Sequence, residues 1–372
     1  MARARRAATS RSRSRSARLG LWQAAAVALA AAAALVPVPG ALVERAYAVA
    51  LYPRLQALLT PLANLVPIPV FDVVVLGLVA GLLGLAFVRV RAWRRTGAWT
   101  PLGRLLAATA TTVAVGYLWF LGVWGLNYAR PPLEVRLGVR PAAVTAERVL
   151  ALARRSVAEV NSRYAGAHAH GFQPPGERPA ALVAALHEIE ARLGRPRPTV
   201  PSIPKVTVFT PFFRWSGTDG MLAPVALETL VNPDLTGPER AMLLAHEWGH
   251  LAGFAPEADA SFVGVLATRR ADAASRYRGW LFLVGETSRL VPRAEAAEDF
   301  GALEAGPRAD LEAIRARLAS RVDVVEQVSW RAYDQYLKAQ GVAEGVRSYS
   351  RVVELLLGTG TAAGLFPPSP AP

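Results

Sequence analysis

Ala245-His246-Glu247-Trp248-Gly249-His250-Leu251 is the stretch that decides the expected fold of the C-terminal part of this chain, and it contains an H-E-x-x-H pattern. Side chains four positions apart share one face of a helix, so the imidazoles of His246 and His250 can bind one zinc ion. Glu247 then suits the role of a general base that activates a water molecule. The pattern predicts a helix that carries part of a metal site, and it indicates a metallopeptidase.

The neighbouring residues predict where this helix begins and ends. Thr236-Gly237-Pro238-Glu239 has the form of a capping box with proline in the first turn, so the helix is expected to begin near Gly237. It is expected to continue through Ala241–Phe254 and to stop at Ala255-Pro256. Such a helix is too short to span a bilayer, so the metal site is expected to face water.

Catalytic zinc needs a third protein ligand beside the two histidines. A second helix is predicted for Glu257 to Arg269, and its first turn offers the carboxylates of Glu257 and Asp259. Both are candidates for the third ligand. The chain contains no cysteine, which excludes thiolate zinc sites, disulfides and cysteine nucleophiles.

The other three histidines are weaker candidates for metal ligands. His168 and His170 form an H-x-H pair in a predicted loop, Ala167–Arg178, and a pair in such a Gly/Pro-rich loop is more typical of a solvated surface. His187 falls in a predicted helix, Pro179–Leu193, as an ordinary surface residue.

The region around the motif predicts a mainly α-helical domain with a small β-sheet, an α+β fold. Alternating valines predict one strand over Pro204–Thr210, and a second strand is predicted over Gly220–Val231 after a turn-rich segment. A strand beside the motif would let the backbone of an extended peptide pair with its edge, and a purely structural hairpin is the alternative. Further helices are predicted over Pro141–Gly166, Tyr277–Leu290, Glu295–Val328 and Val352–Leu357.

The N-terminal third differs from the rest in charge. Residues 1–130 contain 15 Lys and Arg against 2 Asp and Glu, and so carry +13 of the total charge of +14. These arginines flank apolar runs instead of lying among aromatic residues on a folded surface, which disfavours nucleic-acid binding. With 52% hydrophobic residues, the composition indicates a membrane protein.

Three apolar runs are each about 20 residues long, which is enough to cross a bilayer. They predict transmembrane helices near 19–38, 66–88 and 105–126, within a membrane domain over 19–128 that follows a disordered basic tail, 1–18. Ala46-Tyr47-Ala48 has the form of a signal-peptide cleavage site. A retained anchor is favoured over cleavage, because Ala46 lies unusually far beyond the first run.

Residues at the ends of these runs predict the orientation. The tail has seven arginines and the loop after the second run has five, whereas the loop between the first two runs has two. Positive loops stay in the cytoplasm, so we expect a multi-pass protein of the cell membrane with a cytoplasmic N-terminus. The domain over 129–357 is then extracytoplasmic, followed by a disordered tail, 358–372. Asp72 is expected at the interface, and an interfacial aromatic belt is predicted for Trp119, Trp124 and Tyr128.

Further stretches that carry a resemblance to a known family are spread in order over nearly the whole chain: Tyr52-Pro53, Asn64-Leu65-Val66-Pro67, Trp124-Gly125-Leu126-Asn127-Tyr128, Arg130-Pro131-Pro132-Leu133, Glu257–Phe262, Arg276-Tyr277 and Tyr333–Val353. Together with the motif, they resemble a family of bacterial membrane proteins, domain-of-unknown-function family 3810. The members of that family carry an H-E-x-x-H and are suspected peptidases.

Glu257-Ala258-Asp259-Ala260-Ser261 adds a wider resemblance, to gluzincin metallopeptidases. Their third zinc ligand is a glutamate on a downstream helix, often in an E-x-x-A-D or E-x-x-A-N pattern, and here Ser261 stands in the last position. The resemblance implies a zincin-like domain, Zn²⁺ as the cofactor and Glu257 as the third ligand, with Asp259 as the runner-up.

The expected function is therefore a membrane-anchored zinc metallopeptidase that acts on a peptide or an envelope protein. Tyr277 and Tyr349 are candidates to stabilise the oxyanion, with a position in the core or at an interface as the alternative for each. A different class, a non-catalytic zinc-binding sensor or scaffold in the membrane, is the alternative function. Glu247 disfavours that class, because a purely structural zinc site has no use for a general base.

Overall fold

The computed structural model of the protein describes residues 20–174, 176–340 and 351–359. These residues are mainly helical and include one two-stranded sheet, which confirms the predicted mainly α fold with a small sheet. The predicted N-terminal tail lies outside the described residues. So does the predicted C-terminal tail, except for Gly358 and Thr359, which end the last helix.

The chain forms two compact units. Of the described residues, the smaller unit contains 20–39 and 73–123, and the larger unit contains 40–72 and those from 124 onward. The larger unit thus includes the segment before the second apolar run, which the sequence assigns to the membrane domain. All residues of the candidate metal site belong to the larger unit.

Two helices are long and apolar enough to cross a membrane, Val70–Thr96 and Thr100–Val123. A third candidate exists if the broken pair Gly20–Leu35 and Gly40–Asn64 is counted as one span. Val70–Thr96 begins later than the predicted second run, because the residues that precede Pro67 and Pro69 are kept out of the helical conformation. The chain therefore has the apolar helices of a membrane protein.

Helices make up most of the larger unit. The longer ones are Tyr52–Asn64, Ala146–His170, Ala180–Arg192, Thr210–Ser216, Gly237–Leu251, Glu257–Thr268, Ala273–Ser288, Arg293–Gly301, Ala305–Leu318, Asp323–Ala339 and Arg351–Thr359, with a π-helical segment, Val43–Leu51, before them. We call Gly237–Leu251 the motif helix and Glu257–Thr268 the ligand helix.

One long helix predicted over Glu295–Val328 is instead divided among three helices. The first break is stabilised by Asn161, whose side chain donates to the Ala302 carbonyl at 2.9 Å and accepts from the Glu304 N–H at 3.0 Å. At the second break the Val322 N–H donates to a distant backbone carbonyl at 3.0 Å. Both breaks depend on contacts with remote segments, which a local sequence pattern does not contain.

The long helix Ala146–His170 both begins and ends later than the predicted helix Pro141–Gly166. It begins after Thr145, whose side chain caps its first turn, and it ends at Gly171, where φ is 81°. His168 and His170 therefore lie in the last helical turn, and the predicted loop position of this pair is wrong.

The sheet consists of β1 (Gly220–Ala223) and β2 (Glu228–Val231), which pair antiparallel, so the single strand predicted there is a hairpin. The strand predicted over Pro204–Thr210 is reduced to one parallel bridge between Lys205 and Leu230 of β2. Because β2 is paired on both sides, β1 is the edge strand, and it packs against the motif helix.

Asp72 accounts for the missing strand. It is buried, with the Thr207 hydroxyl donating to one carboxylate oxygen at 2.5 Å and the Val208 N–H to the other at 2.9 Å. These bonds draw the backbone out of an extended course, and the short helix Thr210–Ser216 follows. Asp72 lies in the first turn of the apolar helix, near the start of its run as predicted, and its side chain is a buried anchor for the Thr207 segment.

The ligand helix is buried along its whole length and packs closely on the motif helix. A Cβ atom at Gly249 would lie 3.0 Å from the Ala260 carbonyl oxygen, and one at Gly264 would lie 3.2 Å from the backbone nitrogen of His246. Glycine at these two positions lets the helix backbones approach each other. The close approach brings the first turn of the ligand helix to the histidines of the motif.

Candidate metal centre

The motif helix begins where the sequence predicts. Thr236 and Glu239 form the capping box, which gives partners to N–H groups that a helix start leaves unsatisfied. The helix ends at Leu251, earlier than predicted, because Gly253 adopts a left-handed φ of 87°. Local sequence signals therefore position the start of the helix more accurately than its end.

The end of the motif helix is held by four side chains from distant segments. Each donates to one of four consecutive carbonyl groups: Trp124 to His250 at 2.9 Å, Tyr52 to Leu251 at 2.7 Å, Arg195 to Ala252, and Arg130 to Gly253 at 2.8 Å. Carbonyl groups at a helix end otherwise lack partners. These contacts fix the turn of the helix that carries His250.

His246, His250 and Glu257 each place one ligand atom within 4.8 Å of the others, and the three can hold a metal ion. The Oε2 atom of Glu257 lies 3.1 Å from His246 Nε2 and 3.4 Å from His250 Nε2. The structure thus brings both motif histidines together with the carboxylate that the gluzincin pattern implies.

Both imidazole rings are oriented through their other nitrogen. His250 Nδ1 lies 3.0 Å from the Phe254 carbonyl oxygen, which only accepts, so Nδ1 carries the proton and donates. His246 Nδ1 lies 3.1 Å from the Ser261 hydroxyl. Ser261 therefore occupies the place of the acid or amide in the E-x-x-A pattern and still contacts the histidine. Contacts of this kind direct Nε2 towards a metal.

Charges in the cluster interact strongly. Burial opposes a positive charge on His250, but the Glu257 carboxylate outweighs it and raises the pKa of His250 to about 9. Burial likewise opposes the charge on Glu257, yet His250 and His246 hold the pKa of Glu257 well below its ordinary value. A metal ion must displace the proton from His250, so metal binding is expected to weaken as pH falls.

Glu247 is buried beside the cluster, with 3% of its surface exposed. The Leu222 N–H of β1 hydrogen-bonds its carboxylate, and Oε2 has no hydrogen-bond partner among the described residues. Burial raises the pKa of Glu247, and His246 and His250 counteract that rise. A carboxylate with an unpaired oxygen and a raised pKa is suited to accept and return a proton.

Aromatic side chains from two distant segments surround the cluster. The Trp124 ring lies 6.1 Å from the His250 ring, and the Tyr333 hydroxyl donates to Glu257. Tyr336 stacks on Tyr333 and lies 6.0 Å from the Tyr128 ring. Trp124 and Tyr128, predicted for an interfacial aromatic belt, thus pack against residues of the larger unit, and their position relative to a bilayer stays a prediction. The spacing of Tyr333 and Tyr336, three residues apart on a helix, is the one sequence signal that they share a face.

Asp259, the runner-up ligand, is not part of the cluster. It is buried near Glu134, Arg136 and Arg130, and burial raises its pKa to about 7, with Glu134 adding to the rise and the arginines opposing it. A position two residues after Glu257 on a helix points away from the face of Glu257. Glu257 and Asp259 thus have separate surroundings.

The remaining candidates lie elsewhere. The Tyr277 hydroxyl donates to Asp310 at 2.6 Å, and His168 Nε2 lies 3.0 Å from the same carboxylate oxygen, so both belong to a separate cluster. His187 Nε2 lies 2.8 Å from a backbone carbonyl oxygen. Tyr349 lies outside the described residues.

Fold and site together define a mainly helical protein with two or three helices fit to cross a membrane and a buried His-His-Glu cluster. Residues 47–357 match the family described as "Protein of unknown function (DUF3810)", and the chain belongs to that family. No curated protein and no solved structure matches the chain.

Proposed function

We propose that the protein is a membrane-anchored, zinc-dependent metallopeptidase that hydrolyses peptide bonds at the outer side of the membrane. The convergence of His246, His250 and Glu257 beside the buried carboxylate of Glu247 carries this proposal. A structural zinc site normally has four protein ligands, and three converge here in the part of the chain that the structure describes.

The spacing of the ligand atoms fits zinc, as it also fits the hydrogen-bonded ion pairs that Glu257 forms with the two histidines without a metal. Zinc bonds of about 2.0–2.1 Å in a tetrahedral arrangement hold neighbouring ligand atoms about 3.3 Å apart. Glu257 Oε2 lies at 3.1 and 3.4 Å from the two Nε2 atoms. Two imidazoles and one carboxylate also form a donor set typical of catalytic zinc.

His246, His250 and Glu257 would hold the metal, which would supply Lewis acidity to a peptide carbonyl and to a water molecule. Glu247 accepts a proton from the attacking water and passes it to the leaving amine. Its unpaired Oε2 is the atom available for the transfer. Burial favours the neutral form of Glu247 and so helps it to hold the proton between the two steps.

Strand β1 supports an extended peptide as the substrate. It is the edge of the sheet, and its Leu222 N–H contacts the Glu247 carboxylate. A peptide that pairs with such an edge places its backbone beside the general base. This arrangement favours recognition of the substrate through its backbone.

The distribution of arginine supports an outer location. Twelve arginines lie in the tail and in the loop after the second apolar run, against two between the first and second runs. The larger unit contains the arginine-poor segment between the first and second runs as well as the His-His-Glu cluster. We therefore assign the N-terminus to the cytoplasm and the larger unit to the outer side.

The test compares the full-length wild type with Glu247→Gln, both purified in detergent, for cleavage of a peptide library and for bound zinc. We expect cleavage to fall about 10²–10⁴-fold in the variant, the contribution of a general base, while zinc stays bound. Glu188→Gln is the matched control, because Glu188 is an exposed glutamate that pairs with Arg192 and lies outside the cluster. Equal cleavage by Glu247→Gln and the wild type would show the mechanism to be wrong.

The same samples separate the proposed enzyme from a non-catalytic zinc-binding sensor or scaffold. Wild-type protein that holds zinc and cleaves no member of the library would support the sensor or scaffold. Protein that binds no zinc would contradict both functions.

A further inference from the structure

Two neighbouring segments of the larger unit expose large apolar side chains. We call six of them the apolar patch: Leu65, Ile68, Val206, Val208, Phe212 and Trp215. Between 45% and 79% of each residue is exposed. A concentration of exposed apolar residues of this kind marks an interaction surface.

Contacts between the two segments make the patch one surface. The Ile203 N–H donates to the Asn64 side chain at 2.8 Å. The rings of Phe71 and Phe209 meet edge to face, with their centroids 6.0 Å apart. Phe209 directly precedes the short helix Thr210–Ser216, which carries the two aromatic members of the patch.

The apolar helix Val70–Thr96 begins within this surface. The Glu228 carboxylate accepts the N–H groups of Val70 and Phe71, at 3.1 and 3.0 Å. Asp72 accepts the Val208 N–H at 2.9 Å. The first turn of the helix belongs to the larger unit and is therefore bonded to the backbone that carries the patch.

Two charged side chains next to members of the patch, Lys205 and Arg214, are paired. The Lys205 ammonium bonds to the Glu228 carboxylate, and both are buried. Arg214, on the helix that carries Phe212, pairs with Asp234 at 2.5 Å. An aromatic and aliphatic face with its nearby charges paired is of the kind that lies at the boundary of lipid headgroups and acyl chains.

We infer that the apolar patch docks the larger unit on the lipid bilayer that Val70–Thr96 crosses. The partner is the lipid interface itself, with Phe212 and Trp215 inserted at the headgroup level. This surface is separate from the zinc ligands and from Glu247, and it serves to keep the larger unit close to the membrane. The inference depends on membrane insertion of the helix and not on catalysis.

The absence of cysteine allows a direct test with the full-length chain. Val208→Cys and Phe212→Cys are each labelled with an environment-sensitive fluorophore, and the protein is reconstituted into lipid nanodiscs. Nitroxide lipids at shallow and deep positions are then introduced as quenchers. We expect both labels to show blue-shifted emission and to lose intensity with the shallow quencher. Because both side chains are exposed, the substitutions leave the packing of the unit intact.

Two control labels define the signals expected outside the membrane and within it. Ala158→Cys, at an exposed position of Ala146–His170 outside the patch, is expected to be insensitive to lipid quenchers. Leu83→Cys, within the apolar helix, is expected to be quenched by the deep nitroxide. If both patch labels behave like Ala158→Cys while Leu83→Cys is quenched, the inference is overturned. Blue-shifted labels that no lipid quencher reaches would indicate a protein cover and would also overturn it, as would an unquenched Leu83→Cys.

Discussion

Ser261→Ala tests whether side chains that hydrogen-bond to the candidate ligands set the affinity of the site for zinc. Ser261 is buried, at 2% exposed, and its hydroxyl lies 3.1 Å from His246 Nδ1. Alanine leaves that nitrogen without its partner and the ring without its orienting contact. Removal of such a contact typically lowers metal affinity about 10–100-fold. This corresponds to about 1.4–2.8 kcal/mol at 1.4 kcal/mol for each factor of ten.

Zinc affinity is measured near neutral pH by competition with a chromophoric chelator. Ser275→Ala is the matched control, because Ser275 is buried at 1% exposed and its hydroxyl has no partner among the described residues. We expect Ser275→Ala to keep the wild-type Kd. Ser261→Asp supplies the acid of the gluzincin pattern and is expected to bind zinc at least as tightly as the wild type. An unchanged Kd for Ser261→Ala would refute the reasoning.

Two further predictions concern stability, each measured by thermal unfolding of the full-length protein in detergent. Tyr52→Phe removes the hydroxyl that donates to the Leu251 carbonyl at 2.7 Å and leaves a buried acceptor unpaired, so we expect a loss of about 1–3 kcal/mol. Asp259→Asn is expected to reduce the pH dependence of stability. The pKa of Asp259 is raised from 3.8 to about 7, so the folded state holds a proton that the unfolded state has released. The contribution of Asp259 to stability therefore falls as pH rises from about 4 to about 7 in the wild type, and the variant lacks this contribution to the pH dependence.

Each of these predictions has its own control. Tyr47→Phe removes a buried hydroxyl with no partner among the described residues, so it is expected to cost less than Tyr52→Phe. Equal losses for the two variants would contradict the role given to the Leu251 contact. For Asp259→Asn, a pH profile parallel to that of the wild type would show that Asp259 does not titrate in this range.

Local sequence signals were sufficient for several elements. The capping box at Thr236 and Glu239 positions the start of the motif helix, and Pro256 separates it from the ligand helix. The apolar runs correspond to helices, because the length and the apolar composition that favour a helix can be read from each run without knowledge of distant residues. Each of these signals acts within a few residues of the element that it predicts.

Other features depend on residues that are far apart in the chain. The strand predicted over Pro204–Thr210 is lost because Asp72 bonds to Thr207 and Val208. Trp124 is of a residue type that favours membrane interfaces, yet its indole N–H donates to the backbone carbonyl of His250. In both cases a long-range hydrogen bond outweighs the local preference.

The sequence by itself determined that two histidines and a glutamate share one helix, because their spacing and the helical period settle which side chains lie together. It also limited the candidates for a third ligand to two carboxylates in the next helix. Only the tertiary structure shows which of the two lies beside the histidines, since the close packing at Gly249 and Gly264 directs Glu257, and not Asp259, towards them. The tertiary structure alone also revealed Ser261, Tyr333 and the four donors at the helix end, because such contacts exist only when distant segments are packed together.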